Sequence, residues 1–326
     1  MLQVKAPRGL VSLIQEICAA RQIKLTRFSG DWILCLELGE RVTYVMGYDF
    51  ALNNAAAKMI CRDKVATSQT LAHHGVPALR HELFLNPEQH NYKNVAGTWG
   101  AMLAFLEAHP QGVVCKPNEG SGGQGVTFID NTHDLEAAAQ RLFAKNRALC
   151  LSPYENILGE FRVAMVEGEV IFVYEKGRPT LYGNGVSTVR ELILAQLAGA
   201  PDFAASLKSL QEGAARLTDS AAVPAIGEEI VLNWKHNLGQ GSVPRILQPA
   251  DPAYGEITAL ALRGTRALNI ALASVDIILT ETGWKILEIN SGIMTESLIK
   301  AHPHGEAMAL DLYDRIVCEC LGIERS

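Results

Sequence analysis

Aromatic residues are scarce, at 6% of the chain, and no apolar run approaches the ~20 residues a membrane-spanning helix needs. A membrane protein is therefore not expected. Lysine and arginine form no run longer than two, and the formal net charge is −6. That balance argues against a nucleic-acid surface, which must neutralise many phosphates. It leaves room for small anionic ligands, which need only a few placed cations. The seven cysteines, Cys18, Cys35, Cys61, Cys115, Cys150, Cys318 and Cys320, are odd in number, scattered, and contain no C-x-x-C pair. They read as free thiols of a reducing compartment, not a disulfide framework. The opening MLQVKAPRGLVSLIQEICAARQ has neither the long apolar core nor the cleavage site of a signal peptide. A soluble, cytoplasmic protein is expected. No Ser-His-Asp or Cys-His set stands out, so covalent catalysis by a side chain is not indicated. What is present is a chain of 326 residues, 48% hydrophobic, long enough for two or three subdomains sharing a continuous core.

The stretch VVCKPNEGSGGQGVTFID, residues 113 to 130, carries a G-x-G-x-x-G at Gly120, Gly122 and Gly125. A dinucleotide fingerprint requires a helix at the last glycine, whose amides hold the pyrophosphate. Here Val126 to Ile129 read as a strand, and Asn131-Thr132 then opens a helix over 133 to 145. Strand, glycine-rich turn, strand is a hairpin whose tip offers unhindered backbone amides, with Lys116 on its first strand.

Residues 1 to about 55 read as a small α/β lead-in, with Leu10, Ile14 and Ile17 at helical spacing and WILCLEL and RVTYVMG as strands around Gly39-Glu40. One helix is predicted through NNAAAKMICRDKVATSQTLAHHG, then a strand HELFL, a polar linker NPEQHNYKN and a helix WGAMLAFLEAH. RALCL and the two halves of EFRVAMVEGEVIFVYEKG, turning at Glu167-Gly168, are strands. RPTLYGNGVS reads as a loop and TVRELILAQLAG as a helix, while 201 to 227 alternates weak helix and loop. EEIVLNW is a strand, HNLGQGSVP a polar loop, and PAYGEITALALRGTRALN a helix. The hairpin ASVDIILTETGWKILEIN follows, and a helix over 305 to 321 ends the chain.

In that hairpin Glu288 and Asn290 are two apart and share a face, and folding about Glu281-Thr282-Gly283 can bring Asp276 beside them. Three oxygen donors without histidine or thiolate suit Mg²⁺, which holds phosphates and keeps waters.

A glycine-rich hairpin with a lysine, followed by a second hairpin bearing metal-type oxygens, resembles the ATP-grasp fold over roughly residues 50 to 300. The resemblance implies an α+β protein in which two α+β subdomains, 56 to 151 and 152 to 326, grip a nucleotide behind the short lead-in. It assigns Lys64, in CRDKVATSQTLAHHGVPA, and Lys116 to the two nucleotide lysines, and Ser121, Gly122 and Gly123 to the flexible loop over the β- and γ-phosphates. Tyr154 and Glu155, within Pro153 to Asn156, fall in the hinge where adenine bonds backbone groups. Glu160 and Arg162 resemble the family's acid-x-Arg, in which the acid meets ribose or another part of the site and the arginine faces the transferred phosphate. Asp276, Glu288 and Asn290 are the implied ligands of Mg²⁺, with two ions expected and Mn²⁺ as a substitute.

GNGVSTVRELI resembles the mobile segment of cyanophycin synthetase and the ATP-grasp glutathione-synthesising enzymes. In WKHNLGQGSVP, Asn237, Gly239 and Gly241 stand beside the substrate or γ-phosphate by the same resemblance, with Lys235 and His236 adding positive charge. The same resemblance implies that Lys176 and Arg178, in YEKGRP, face an acyl phosphate. After Asn290 those ligases commonly continue toward Pro-Gly, whereas here Ser291-Gly292-Ile293-Met294 follows. The implied activity is an ATP-dependent carboxylate–amine ligase acting on an amino acid, peptide or similar small substrate through an acyl phosphate. The implied partners are a small carboxylate and a small amine, with a peptide or protein acceptor and a homo-oligomer left open. A small-molecule kinase and a silent nucleotide-binding regulator are the alternatives.

Overall fold

The computed structural model describes residues 8–86, 99–120, 122–178, 180–199, 220–232 and 244–325. It opens with α1 (Gly9–Ala20), whose Leu10, Ile14 and Ile17 are buried at the spacing noted above. An antiparallel meander follows, β1 (Lys24–Phe28), β2 (Ile33–Leu38), β3 (Arg41–Met46) and β4 (Asp49–Phe50). β2 and β3 were expected. β1 was not, because its sequence KLTRF carries the charges of an edge strand and no apolar alternation.

The single helix expected over 53 to 75 is two, α2 (Ala55–Arg62) and α3 (Lys64–His73). Asp63 separates them: its backbone is extended, and its carboxylate accepts the Ala66 amide at 2.8 Å, capping α3. An aspartate side chain competes with helical pairing and is better placed at a cap. Asp63→Ala should lower stability by about 1 kcal/mol. The check is the urea midpoint, which should fall at unchanged slope; an unmoved midpoint would show that this cap contributes nothing.

β5 (Glu82–Leu85), α4 (Trp99–Glu107), β6 (Val113–Pro117), β7 (Thr127–Ile129), α5 (Thr132–Phe143) and β8 (Ala148–Pro153) come next. The strands form an antiparallel sheet in the order β5-β8-β6-β7. Met102 and Leu135 of the two helices pack with Phe84, Val113, Ile129 and Leu149 in one core. The strand, glycine turn, strand order holds. The expected linker falls mostly on residues 87–94, outside the described residues.

Then come β9 (Ile157–Val166), β10 (Glu169–Lys176), β11 (Thr180–Tyr182), α6 (Val189–Ala198), β12 (Glu229–Val231), β13 (Arg245–Leu247) and α7 (Tyr254–Leu268). β14 (Leu272–Thr280), β15 (Gly283–Asn290), α8 (Glu296–Ala301) and α9 (Gly305–Leu321) complete the order. β11, β13 and α8 were not expected; each is only one or two turns or pleats long and carries no periodic signal. Of the weak segment 201 to 227, residues 201 to 219 lie outside the described residues.

The central sheet has the order β13-β10-β9-β14-β15. One face, through Phe161, Val163, Val275 and Ile277, packs against α2, α3 and α7. The other face divides along its length. Ala164, Val166 and Leu272 join the core of α1, α9 and the meander. Toward the opposite end, the same face carries Glu160, Arg162, Asp276 and Glu288, and here it lines a cleft. The period of two along each strand thus delivers apolar residues to one face and the charged set to the other. A bulge at Leu287, where the register steps from Asp276↔Glu288 to Ile277↔Ile286, keeps Glu288 in the cleft while Ile286 stays in the core.

All seven cysteines are free, six of them buried. Burial pushes the Cys61 and Cys115 thiols up to about 12, which keeps them unreactive. No helix among the described residues is long and apolar enough to cross a membrane.

Candidate active site

The cleft has a volume of about 660 Å³ and lies between the glycine-rich hairpin and the charged face of the central sheet. Its floor is built by register. Glu288 (β15), Asp276 (β14), Arg162 (β9) and Tyr174 (β10) stand in one cross-sheet row, each paired with the next. Glu160 and Lys176 pair in the adjoining row.

These groups are bonded to one another. Arg162 donates from Nε and Nη2 to the two oxygens of Asp276, both at 2.7 Å. The Lys176 ammonium lies 2.8 Å from Asp276 Oδ2 and 2.7 Å from Glu160 Oε1. Burial alone would raise the Asp276 pKa, yet Arg162 and Lys176 hold it well below the usual carboxylate range. Burial raises that of Glu160, with Lys176 pulling against it and Asp276 adding to it. Burial works against the charge on Arg162 and Lys176, and for Lys176 the neighbouring Arg162 does too, but Asp276 and the other anionic groups around them together hold both above their ordinary values. The set is a fully paired cluster, the condition under which buried charge is tolerated.

Asp276, Glu288 and Asn290 are brought together, but unequally. Both oxygens of Asp276 are occupied by cations. Glu288 Oε1 accepts the Asn290 side-chain N–H at 3.1 Å, which leaves Glu288 Oε2 and Asn290 Oδ1 as two hard donors. Among the described residues no three His, Cys, Asp or Glu side chains form a metal set. A two-donor arm fits Mg²⁺, which takes the rest of its shell from phosphate and water, better than a cation needing a full protein cage.

The opposite wall carries the lysines. Lys116, on β6, is buried in the cleft lining, and burial draws its ammonium below the ordinary lysine value, with Lys64 adding to the effect. Lys64 opens α3 and donates to the Gly120 carbonyl at 2.8 Å. Asn118 joins α3 to the glycine-rich hairpin, accepting the Val65 amide on its side chain and the Lys64 amide on its backbone carbonyl. Gly122 and Gly123 sit at φ of 70° and 68°, a left-handed conformation open to glycine at little cost. In the hinge, the Tyr154 ring meets Phe128 edge-on at 4.9 Å and Glu155 pairs with Lys285 at 2.5 Å. Ser121 and Asn237 lie outside the described residues, as do Lys235, His236, Gly239 and Gly241. Arg178 is not among the described residues lining the cleft.

Two features escaped the sequence. His81 lines the cleft at 3% exposure, and neither ring nitrogen makes a hydrogen bond among the described residues. Burial, with Lys116 and Lys64 nearby, pushes its pKa far down, so the imidazole is neutral; the backbone of Leu79 offers only a weak opposing pull. A lone histidine before a strand gives no signal of this. The second is the lead-in, whose Trp32, Met46, Tyr48 and Asp49 also line the cleft.

No family model matches the chain. It is 27% identical over 246 residues to cyanophycin synthetase of Nostoc sp. (strain PCC 7120), covering 72% of this chain and 26% of that protein. It is 22% identical over 277 residues to the glutathione biosynthesis bifunctional protein GshAB of Desulfotalea psychrophila, covering 79% and 34%. The chain thus spans about a third or less of the length of these curated relatives. Among solved structures, a bifunctional glutathione synthetase from Pasteurella multocida superposes with a TM-score of 0.55 at 18% identity, over 94% of this chain and 44% of that one. The antiparallel sheets and the glycine-rich hairpin thus form an ATP-grasp fold, shared with the glutathione synthetase structure, and in sequence the chain is similar to cyanophycin synthetase and GshAB.

Proposed function

We propose that this protein is an ATP-dependent carboxylate–amine ligase working through an acyl phosphate. The observation that carries the reading is one cleft with two lysines and a glycine-rich turn on one wall and the Arg162, Lys176, Glu288 and Asn290 groups on the other. In this reading residues 56 to 151 bring the hairpin and lysines, and residues 152 to 326 bring the charged sheet. The substrate carboxylate attacks the γ-phosphorus, ADP leaves, and an amine then displaces phosphate from the acyl carbon to form an amide. Phosphoryl transfer asks chiefly for positioning and charge neutralisation. Lys116 and Lys64 supply positive charge against the phosphates, and the amides about Gly122 and Gly123 donate without side-chain hindrance. Arg162, oriented by its two bonds to Asp276, keeps Nη1 for an anionic oxygen. Glu288 and Asn290 would hold Mg²⁺, which when bound neutralises charge on phosphate oxygens as a Lewis acid.

The test is ADP release with MgATP and pools of amino acids and small peptides, with hydroxylamine as a stand-in amine. Carboxylate-dependent ADP with a trapped hydroxamate is expected. ADP formed only with hydroxyl compounds, and no hydroxamate, would replace the ligase with a kinase. Lys116→Ala should weaken ATP binding about 10- to 100-fold, the value of one lost charge-assisted hydrogen bond. Calorimetry that returned an unchanged Kd would remove Lys116 from the nucleotide site.

A further inference from the structure

The meander takes no part in the phosphoryl chemistry above, yet it builds the end of the cleft beyond Asn290. Ser291, next after Asn290, donates to Asp49 Oδ1 at 3.3 Å, and the Asn53 side-chain amide donates to the Ser291 carbonyl at 3.0 Å. The β3–β4 turn is thereby fixed against the end of the strand that carries Glu288. From this turn and its neighbours Trp32, Met46 and Tyr48 enter the lining, joined by Met294 from the loop after β15. Trp32, Met46 and Met294 are 48%, 54% and 54% exposed. Large apolar side chains left half-bare inside a cleft mark a surface that a ligand covers.

The surface is also held in place. The Arg8 guanidinium lies 4.8 Å from the Trp32 ring centroid and 5.6 Å from that of Tyr48, and it donates to the carbonyls of Gly47 and Asp31. Gly47 sits at φ 64°, and a Cβ there would come within 3.0 Å of the Trp32 ring, so glycine lets the indole lie against the backbone. The Tyr48 hydroxyl is tied to Glu296, which leaves its ring to face inward. Asp49 is the carboxylate that lines this end, its Oδ2 held by Lys58 at 2.7 Å and its Oδ1 by Ser291.

We propose that this end of the cleft takes the amine substrate, and that this substrate is an amino acid, or the first residue of a short peptide, with an apolar side chain. The inference rests on the ligase reading. The ammonium meets Asp49, and the side chain is covered by Trp32, Met46 and Met294. One ammonium proton passes to solvent water, freeing the lone pair. The C–N bond then forms as the acyl carbon–oxygen bond to phosphate breaks, and the second proton leaves on the phosphate.

The experiment measures amide formation by the full chain with MgATP, the carboxylate identified by hydroxamate trapping, and single amines: leucine, methionine and phenylalanine against glycine, aspartate and arginine. A kcat/KM at least about tenfold higher for the apolar amines is expected, the discrimination an apolar pocket can supply. Trp32→Ala should raise the KM for leucine about tenfold with a smaller change in kcat. Preference for glycine or a charged amine by the unaltered chain overturns this substrate class, while hydroxamate formation leaves the ligase reading standing. Absence of hydroxamate and of ADP release with every carboxylate overturns both.

Discussion

Asp276→Ala should cost about 3–5 kcal/mol of folding stability, because it leaves the Arg162 charge buried without its partner and Lys176 with Glu160 alone. Asp276 is 1% exposed and accepts from both cations, so solvent cannot take its place. A denaturant midpoint measures the loss, and a midpoint within about 0.5 kcal/mol of the original, the range of ordinary surface substitutions, would show that the cluster is not a stabilising unit. The pH dependence has a definite sign. A carboxylate whose folded pKa is depressed binds its proton more readily when unfolded, so its contribution is full above the unfolded value of about 4. It is lost as pH falls below that toward the depressed folded value. The original chain should therefore lose stability in acid more steeply than Asp276→Asn, which has no proton to bind at this position.

Glu288→Gln should behave in the opposite way, folding normally and failing to turn over. Glutamine keeps the Oε1 acceptor that receives the Asn290 amide and removes only the charge. If Glu288 holds Mg²⁺ against the phosphates, losing several kcal/mol of charge stabilisation lowers kcat by about 10³-fold. Steady-state kinetics across a Mg²⁺ titration reads this, and turnover equal to that of the original chain at any metal concentration refutes the assignment. Glu288 and Asp276 are register partners on adjacent strands, so the two variants separate roles that proximity alone would merge.

The legible parts of this protein were those whose signal is local. The glycine-rich hairpin could be read because β-branched and apolar residues flank its glycines at once, and the Glu288 and Asn290 pair because a period of two fixes their common face. The pairing of Arg162 with Asp276 was not readable: it depends on β9 lying beside β14, strands more than a hundred residues apart whose register no local pattern specifies. The same holds for Trp32 and Asp49, which reach the cleft only through the docking of the meander on the loop after β15. The helix break at Asp63 lay within reach, since Asp63 heads a run ending at Gly75-Val76-Pro77, but the alanine-rich run before it masked the cap.

The cross-sheet ion row also acts as a key for strand pairing. Sliding β9 by one residue against β14 would turn Glu160 and Arg162 into the helix-packed core and send Phe161 and Val163 into the cleft, since side chains alternate with period two. Such a slip would bury unmatched charge, whereas the observed register sets Arg162 opposite Asp276 and pairs them. The groups proposed to handle phosphate thus also penalise wrong registers of the sheet. Substitutions that neutralise one of them should therefore widen the set of misfolded alternatives as well as weaken the native state.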